Sequence, residues 1–401
     1  MNTIEKMNIF EGMKILVRVD FNVPLKGSEV RDDNRVVAAL PTIKYLLSKG
    51  AALVLMSHLG KVNWGKATDE EIAQQKAKNN MEFVCPFLAK HLDGVNVKFC
   101  NATRGEELAN AVAGLKAGEV LLVQNTRYEK GESKNNAELS AEWASLVDGF
   151  VMDAFGSAHR AHASTYGVPE VLKAENKPVA LGYLMEKEVS NLGACVKGDV
   201  HPYLAILGGF KVSDKIKVID SLLKKCDKIL IGGAMAYTFK KALGEEIGNS
   251  PCEVDQLDYA KKCFESGKIL LPVDSVCAND FDNPTEVITV EGGIPAGFEG
   301  LDIGPKTRKL YAEEIAKAKL IFWNGPAGVF EKEAYQAGTK AICEAITENK
   351  DAFSVIGGGD SAAAAKEFGY ASKFNHVSTG GGASLEMIEN DGHLPGIDII
   401  G

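Results

Sequence analysis

Short apolar runs that end in polar or glycine-rich turns recur along the whole chain, with stretches of helical periodicity between them. The runs are KILVRVDFN, ALVLMSHLG, VLLVQNTRY and GFVMDAFG in the first half, and YLAILGG, KILIGGA, LIFWNGP and FSVIGGG in the second. Near-continuous apolar strands that alternate with helices are typical of parallel sheets covered on both faces. The pattern therefore predicts an α/β protein with parallel sheets.

The length of 401 residues exceeds what a single hydrophobic core usually organises, so two domains are expected. The boundary is predicted between Gly167 and Pro202, where two prolines and a glycine precede the amphipathic stretch LMEKEVSNLGACVKG. We predict an N-terminal lobe over residues 1–182, a connecting helix over 183–198 and a C-terminal lobe over 199–386. Both lobes are expected to be Rossmann-like three-layer α/β/α structures.

Charge and composition exclude several functional classes. Acidic residues outnumber basic ones, 54 to 45, which argues against non-specific binding to nucleic acid or to an anionic membrane. The first residues lack the apolar core of a secretory signal, and no run approaches the roughly 18 apolar residues of a membrane span. Eight cysteines without CxxC or Cys/His ligand spacing favour reduced, mostly buried thiols. A cytoplasmic location is expected.

Arginines and glycine runs are distributed unequally. Six of the seven arginines precede residue 161, whereas the two Gly-Gly-Gly runs come after residue 356. Guanidinium groups bind carboxylate or phosphate in a bidentate manner, and glycine runs at a helix N-terminus offer backbone N–H groups to phosphates. The two halves are therefore expected to bind two different anions.

The polar residues that close the apolar runs are the candidates for function, because ligands of open α/β sheets bind beyond the carboxyl ends of the strands. In RVDFNVP, Asp20 and Asn22 share one face and could bind hydroxyl groups, although a capped strand end explains them equally well. Arg127 follows a buried strand, which favours a functional role.

Arg35 is predicted at the start of a helix in DDNRVVAALPTI. A surface salt bridge to Asp32 or Asp33 is the simplest interpretation of this arginine when it is taken alone. Arg18, Arg31 and Arg104 have no loop context that indicates a role.

The segment DAFGSAHRAHAST places Asp153, His159, Arg160 and His162 in one loop after a strand. The two histidines could bind a metal, but no nearby Cys or Glu completes a ligand set. Capture of phosphate or carboxylate by Arg160 with flanking imidazoles is the preferred interpretation.

In the second half, LGGFKVSDKI places Lys211 and Lys215 on the predicted first turn of a helix, four residues apart. Two cations there oppose the helix dipole unless an anion is bound, although a solvated lysine face is the alternative. IGGGDSAAAAKEFG supplies a glycine nest, with Asp360 either as a carboxylate for hydrated magnesium or only as an N-cap. STGGGAS repeats the glycine device and is expected beside it.

A competing motif lies in residues 60–67, GKVNWGKA, which nearly match the P-loop pattern GxxxxGK[ST]. Ala67 lacks the hydroxyl that binds magnesium, and Trp64 would crowd a loop that wraps phosphates. No GxGxxG is present, so a nicotinamide or flavin enzyme lacks its fingerprint. A nucleotide hydrolase that depends on Lys66 and a non-catalytic two-lobed solute receptor remain as alternatives.

The segments RVDFNVP, DDNRVVAALPTI, SHLG, DAFGSAHRAHAS, LGGFKVSDK, WNGPAGVFE, GGGDSAAA and STGGGAS closely resemble the phosphoglycerate kinase family, in this order and over nearly the whole chain. The resemblance implies reversible transfer of the acyl phosphate of 1,3-bisphosphoglycerate to ADP, which gives 3-phosphoglycerate and ATP with Mg²⁺. It also implies a monomer whose cleft closes by a hinge, with the tail 387–401 packing back on the first lobe.

The resemblance also implies site residues. Arg35, Lys211 and Lys215 would be catalytic, and Asp360 would hold the metal. The implied phosphoglycerate-binding residues are Asp20, Phe21, Asn22, Arg35, His58, Leu59, Gly60, Lys61, Arg127 and Arg160. The implied nucleotide-binding residues are Lys211, Lys215, Gly300, Asn324, Glu331, Gly357, Gly358, Gly359, Asp360, Ser361 and Thr379.

Three positions depart from the usual family pattern. Lys61 stands where Arg normally follows SHLG, Gln124 where Glu commonly precedes Asn-x-Arg, and Phe210 where a small residue usually precedes the lysine. Lys61 keeps the positive charge but loses the bidentate geometry, which affects substrate affinity more than the type of reaction.

Overall fold

The computed structural model describes residues 1–401, which separate into two compact units. The first unit comprises Met1–Ser190 and His393–Gly401, and the second comprises Asn191–Gly392. Each unit contains one six-stranded sheet whose neighbouring strands are all parallel. The predicted α/β class with parallel sheets is confirmed.

The sheet of the first unit has the strand order β5-β6-β4-β1-β7-β8, and a two-stranded antiparallel ribbon, β2-β3, lies apart from it. Most residues of its central strands are buried, as expected for a sheet covered on both faces. The strands are β1 (Lys14–Val19), β2 (Leu25–Lys26), β3 (Glu29–Val30), β4 (Ala52–Met56), β5 (Val97–Cys100), β6 (Val120–Val123), β7 (Gly149–Asp153) and β8 (Val179–Leu181).

The helices of the first unit follow the apolar periodicity of the sequence. The helix that carries Arg35 buries Val36, Leu40 and Ile43 on one face, and Gly50 follows it with a φ of +85°, a backbone conformation that favours glycine. The helices are α1 (Asn34–Ser48), α2 (Asp69–Lys78), α3 (Cys85–His91), α4 (Glu106–Ala113), α5 (Ala137–Ser145), α6 (Val168–Ala174) and α7 (Tyr183–Lys197). The division between the two units falls within α7.

The second unit contains the sheet β11-β10-β9-β15-β16-β17 and a separate antiparallel sheet, β13-β12-β14. The antiparallel sheet is absent from the sequence prediction, and its strand β13 has no buried residue. The strands are β9 (Tyr203–Leu207), β10 (Lys228–Ile231), β11 (Ile269–Leu270), β12 (Asp274–Ala278), β13 (Val287–Glu291), β14 (Glu299–Ile303), β15 (Leu320–Asn324), β16 (Phe353–Ile356) and β17 (His376–Val377).

The helix after β9 begins later than the sequence predicts. It starts at Ile216, so Lys215 is its N-cap residue and Lys211 lies in the loop before the helix rather than on its first turn. The remaining helices are α8 (Ile216–Lys225), α9 (Met235–Ala242), α10 (Leu257–Phe264), α11 (Pro305–Lys317), α12 (Ala337–Glu348), α13 (Gly359–Glu367), α14 (Gly381–Glu389) and, within the first unit, α15 (Pro395–Asp398). None of the helices is long and apolar enough to span a bilayer.

Candidate functional site

Four neighbouring strands of the first unit end at the same edge of its sheet, and each is followed by candidate side chains. Asp20 follows β1, His58 follows β4, Arg127 follows β6, and Arg160 lies in the loop after β7. Because the carboxyl ends of parallel strands share one edge, residues far apart in sequence lie close together there.

Arg35 forms an ion pair with Asp20 rather than with Asp32 or Asp33. Arg35 Nη1 donates to Asp20 Oδ2 at 2.6 Å, and the N–H of Asn22 donates to Asp20 Oδ1 at 3.2 Å. Asp33 instead lies 2.8 Å from the ring of His91. The interpretation of Arg35 as a local surface salt bridge is therefore wrong, since the arginine joins α1 to the segment that follows β1.

A cavity of about 350 Å³ lies among the loops after β4, β6 and β7. The cationic side chains of Lys61, Arg127 and Arg160 line it together with His162, and the carboxylates Glu129 and Glu132 belong to the same lining. Arg127 is fixed at both ends: its Nη1 donates to the carbonyl of Gly60 at 2.6 Å, and its own carbonyl accepts from Trp64 Nε1 at 2.9 Å. Three cations on one small cavity can bind a doubly charged phosphate in a polar, partly exposed setting. We refer to it below as the basic cavity.

The two imidazoles near these arginines are neutral at physiological pH. Burial and the charges of Arg18, Arg127, Arg35 and Arg160 hold the pKa of His58 well below its ordinary value. Burial also lowers the pKa of His162 to about 4, against the opposing effect of Glu132. A neutral imidazole can donate one hydrogen bond to a phosphate without adding charge. No group of three or more His, Cys, Asp or Glu side chains is arranged to hold a metal.

Phe21 and Leu59 do not present side chains to this site. Both are buried in the core of the first unit, and their backbone groups are occupied: the N–H of Phe21 donates to Ser57 Oγ at 2.8 Å, and the N–H of Leu59 donates to Asn125 Oδ1 at 3.1 Å. Gly60 contributes by shape, since its φ is +61° and its N–H donates to Asn22 Oδ1 at 2.8 Å. These residues build the loop that carries Lys61.

The P-loop interpretation of residues 60–67 is not supported by the geometry. The N–H groups of Gly60 and Asn63 are bonded to side-chain oxygens of Asn22 and Gln75, so they do not form an open nest for phosphates. The following helix α2 begins only at Asp69, with Thr68 as its cap. Lys66 is exposed outside the lining of the basic cavity.

In the second unit, the loops after β9, β15 and β16 are tied together by side chains. Lys215 Nζ donates to Asn324 Oδ1, Asn324 Nδ2 donates to the carbonyl of Gly357, and the N–H of Gly325 donates to Ser361 Oγ at 2.6 Å. Burial lowers the pKa of the Lys215 ammonium, although Asp214, Asp360 and Glu389 act in the opposite direction. These bonds hold the glycine loop against the lysine.

The two glycine runs adjoin, as the sequence predicts. A Cβ on Gly381 would lie 3.0 Å from the Cα of Gly358, and a Cβ on Gly358 would lie 2.8 Å from Asn324 Nδ2. Gly357 faces the core, because its Cβ would meet the ring of Phe322 at 2.5 Å, whereas Gly359 has open space around it. Only the end of the run is therefore available to a ligand, at the N-terminus of α13.

A second cavity, of about 360 Å³, lies next to this helix N-terminus. Gly300, Glu331 and Asp360 border it, with Phe210 and Tyr237 among its apolar residues. The Tyr237 hydroxyl occupies the space that a Cβ on Gly300 would need, so glycine is required there. Thr379 is exposed and does not border this cavity. We refer to it below as the apolar cavity.

Asp360 lies in the first turn of α13, whose N-cap is Gly358, so its interpretation as the N-cap residue is wrong. One exposed carboxylate beside a helix N-terminus fits Mg²⁺, which takes few protein ligands and completes its shell with phosphate oxygens and water. It does not constitute a metal site by itself.

Sequence reasoning missed three residues that shape the basic cavity. Arg18 is fully buried on β1 and contacts His58. Glu132 is a buried carboxylate in the cavity lining, and Trp64 supports Arg127. The available signal was the position of Arg18 inside an apolar strand, because a buried charge requires partners.

The family model described as "Phosphoglycerate kinase" matches residues 4–391 of the chain. Curated proteins named phosphoglycerate kinase include one from Fusobacterium nucleatum that is 52% identical over 96% of each chain, and one from Spiroplasma citri that is 50% identical over 97% of this chain and 96% of that protein. The solved structure of phosphoglycerate kinase from Coxiella burnetii superposes with a TM-score of 0.86 at 35% identity, covering 99% of this chain and 98% of that one. The structure from Pyrococcus horikoshii gives a TM-score of 0.83 at 31% identity, covering 100% and 98%.

Proposed function

This chain belongs to the phosphoglycerate kinase family, and on that premise we propose how its own residues perform the reaction of that family. The protein is a kinase of the ATP-generating step of glycolysis: it transfers the acyl phosphate of 1,3-bisphosphoglycerate to ADP and forms 3-phosphoglycerate and ATP. The reaction is reversible, so both phosphorylated acids and both nucleotides must bind.

The phosphorylated acid is assigned to the first unit. The observation that carries this assignment is the convergence of Lys61, Arg127 and Arg160 on the basic cavity beside neutral imidazoles. We propose that Lys61, Arg127 and Arg160, with His58, bind the phosphate that is not transferred. Asp20 and Asn22 then bind the hydroxyl and carboxyl end of the glycerate.

The nucleotide is assigned to the second unit. The apolar cavity fits the base and ribose, with Glu331 accepting hydrogen bonds from ribose hydroxyls and Gly300 providing close approach. Gly358, Gly359 and Ser361 bring the N-terminus of α13 to the phosphates, where its dipole favours negative charge. Asn324 acts behind them by holding Lys215 and Gly357, and Thr379 is proposed at the outer margin of the phosphates.

Phosphoryl transfer depends on positioning and on neutralising the charge of the equatorial oxygens. An acyl phosphate leaves readily, and the attacking ADP oxygen is already ionised, so no general base is needed. We propose that Arg35 from the first unit and Lys211 and Lys215 from the second contact the group in transfer. Mg²⁺ at Asp360, when bound, supplies further neutralisation of the nucleotide phosphates.

Transfer requires the two bound ligands to meet, so closure of the units around α7 is part of the proposal. A monomer located in the cytoplasm, with small molecules rather than nucleic acid or membranes as partners, is consistent with the net charge of −9. Small-angle scattering of the ligand-free and doubly liganded protein measures closure as a decrease in the radius of gyration.

The decisive experiment is a coupled assay with 3-phosphoglycerate and ATP. The matched variants are Arg160→Ala, which removes a cation from the basic cavity, and Lys66→Ala, which removes an exposed lysine of the P-loop-like segment. We expect turnover in the unmodified protein, a large loss of kcat/KM for 3-phosphoglycerate with Arg160→Ala, and little change with Lys66→Ala. ATP hydrolysis that needs no acid substrate and is abolished by Lys66→Ala would instead indicate a nucleotide hydrolase.

A further inference from the structure

Arg18 is one of the largest fully buried side chains of the protein, although arginine is rarely found in such a position. It lies on the central strand β1, with 1% of its surface exposed. A buried guanidinium is costly unless every donor is matched and its charge is compensated. The partners of Arg18 therefore indicate what it does.

Each end of the guanidinium has a defined partner. Arg18 Nη1 donates to the carbonyl of Val19, and Nε donates to Ser164 Oγ at 2.8 Å. The Ser164 hydroxyl donates in turn to Glu132 Oε2 at 2.6 Å, and the N–H of Ser164 donates to Glu132 Oε1 at 2.8 Å. Ser164 and Glu132 are buried as well. Glu132 thus compensates the charge of Arg18 through the serine that lies between them.

The remaining nitrogen, Nη2, lies 3.0 Å from Nδ1 of His58. Arginine has donors only, so Nδ1 must be the acceptor in this hydrogen bond and cannot carry a proton. A neutral imidazole whose Nδ1 is an acceptor holds its proton on Nε2. A doubly protonated ring would oppose two donors across this distance, so the contact also disfavours the imidazolium.

We propose that Arg18, held by Ser164 and Glu132, is a positioning residue that fixes His58 as the neutral Nε2–H tautomer. The proposal rests on the assignment of His58 to the phosphate of the acid substrate. In that setting His58 offers one fixed hydrogen-bond donor, while Arg127, Arg160 and Lys61 supply the charge. The surrounding guanidinium groups of Arg18, Arg35, Arg127 and Arg160 act in the same direction, because each of them lowers the pKa of the His58 ring.

The tautomer is measurable without substrate. Two-bond ¹H–¹⁵N correlation spectra of the ligand-free protein labelled with ¹⁵N-histidine distinguish the Nε2–H, Nδ1–H and doubly protonated rings, and the His58 signals are assigned by their loss in His58→Gln. We expect the Nε2–H pattern, unchanged from pH 5 to pH 8. An Nδ1–H pattern, or protonation of His58 within that range, would overturn the proposal.

The variant Arg18→Met tests whether Arg18 is what fixes the tautomer of His58. This variant should allow His58 to titrate within the pH range above, and it should make the ratio of variant to unmodified KM for 3-phosphoglycerate pH-dependent. At pH 8 the KM ratio is expected to be roughly 10, because the variant loses one well-placed hydrogen bond to a charged group. The ratio should fall toward pH 5, where His58 of the variant gains a proton. Titration of the substrate phosphate affects the KM of both proteins equally, so it cancels in this ratio.

The matched control is Arg31→Met, which removes an exposed arginine outside the cavity lining. It should leave the His58 spectrum unchanged and keep its own KM ratio near that of the unmodified protein at every pH. A ratio for Arg18→Met that is constant with pH would show a merely structural role and contradict the proposal. If Arg18→Met does not fold, the spectrum of the unmodified protein decides alone. Because that spectrum needs no turnover, its failure is distinct from failure of the kinase assignment, which the coupled assay reports.

Discussion

Arg35 Nη1 lies 2.6 Å from Asp20 Oδ2, so the cation proposed for the transferred phosphate is held by the carboxylate proposed for the glycerate hydroxyl. The side chain of Arg35 is 42% exposed, whereas that of Asp20 is 9% exposed. The ion pair therefore holds the partly exposed guanidinium of Arg35 against the buried carboxylate of Asp20. Binding of the acid substrate must compete for the same carboxylate, which couples the two assignments.

Arg35→Ala is expected to lower kcat by roughly 10²- to 10³-fold, by analogy with the loss of one preorganised donor to a developing charge. The KM for 3-phosphoglycerate should change much less, because Lys61, Arg127 and Arg160 still hold the distal phosphate. Steady-state kinetics of Arg35→Ala beside Arg31→Ala, an exposed arginine nearby in sequence, checks this. Near-full turnover of Arg35→Ala would remove Arg35 from the mechanism.

Lys61→Arg is expected to lower the KM for 3-phosphoglycerate. Lys61 lines the basic cavity as a flexible point charge, and an arginine in its place can bind a phosphate through two parallel hydrogen bonds. The gain should be several-fold, with kcat nearly unchanged, because the contact is made equally in ground and transition states. A KM that stays the same or rises would show that lysine already meets the geometric requirement.

Gln124→Glu is expected to destabilise the protein by roughly 1–3 kcal/mol. The Gln124 side chain is fully used: its Oε1 accepts from the N–H groups of Met81 and Asn125, and its Nε2 donates to Oδ1 of Asn80 at 2.7 Å and of Asn101 at 2.9 Å. A glutamate carboxylate in this position would place an oxygen, instead of the amide donor, against Oδ1 of Asn80 and Oδ1 of Asn101.

The Gln124→Glu effect is measured by urea unfolding, with Gln75→Glu as the control. Gln75 Oε1 also accepts a backbone hydrogen bond, from Asn63, but the contact lies at the surface, where a carboxylate can replace the amide. Equal free energies of unfolding for the two variants would mean that Asn80 and Asn101 reorient without cost.

Asp153→Asn is expected to flatten the pH dependence of stability. Burial raises the pKa of Asp153 to about 7, and its Oδ1 accepts from the N–H of Leu184 at 3.1 Å at the start of α7. Between about pH 4 and pH 7 the folded protein keeps a proton that the unfolded chain releases. The stability that the protonated Asp153 contributes is therefore fully present at low pH and is lost as the pH rises to about 7.

Asparagine keeps the acceptor and has no proton to release, so the free energy of unfolding of Asp153→Asn should decline less across this window, by on the order of 2–4 kcal/mol. Urea unfolding at intervals from pH 4.5 to 7.5 measures the decline, and the exposed Asp199→Asn controls for loss of one carboxylate. Parallel curves for Asp153→Asn and the unmodified protein would show that the side chain is ionised throughout.

Phe210→Ala is expected to raise the KM for ADP roughly 3- to 10-fold without changing the KM for the acid substrate. Phe210 borders the apolar cavity with 64% of its surface exposed, although burial of an aromatic ring is favourable. Contact with the base of a nucleotide would bury the ring and contribute about 0.5–1.5 kcal/mol to the binding free energy, as for an aromatic pair. Phe264→Ala, another exposed phenylalanine, lies outside the cavity lining and should not alter either constant.

The sequence predicted the parallel sheets because buried strands such as β1 and β4 are continuous apolar runs, and it predicted the candidate residues because they close those runs. The partner of Arg35 could not be predicted, since Asp20 is brought to it by packing of α1 rather than by sequence spacing. The start of α8 at Ile216 was missed because no capping residue marks it. The role of Arg18 required the positions of Ser164 and Glu132, which come from other parts of the chain.

The hydrogen bond from Trp64 to the Arg127 carbonyl gives the basic cavity an intrinsic optical signal. The chain has three tryptophans, and the other two, Trp143 and Trp323, have no exposed surface. Trp64 is the one that borders a cavity, where Lys76 Nζ lies 4.8 Å from its ring centroid. Trp64 is therefore the tryptophan that an anion in the cavity reaches directly, and comparing the fluorescence titration of the unmodified protein with that of Trp64→Phe isolates its signal.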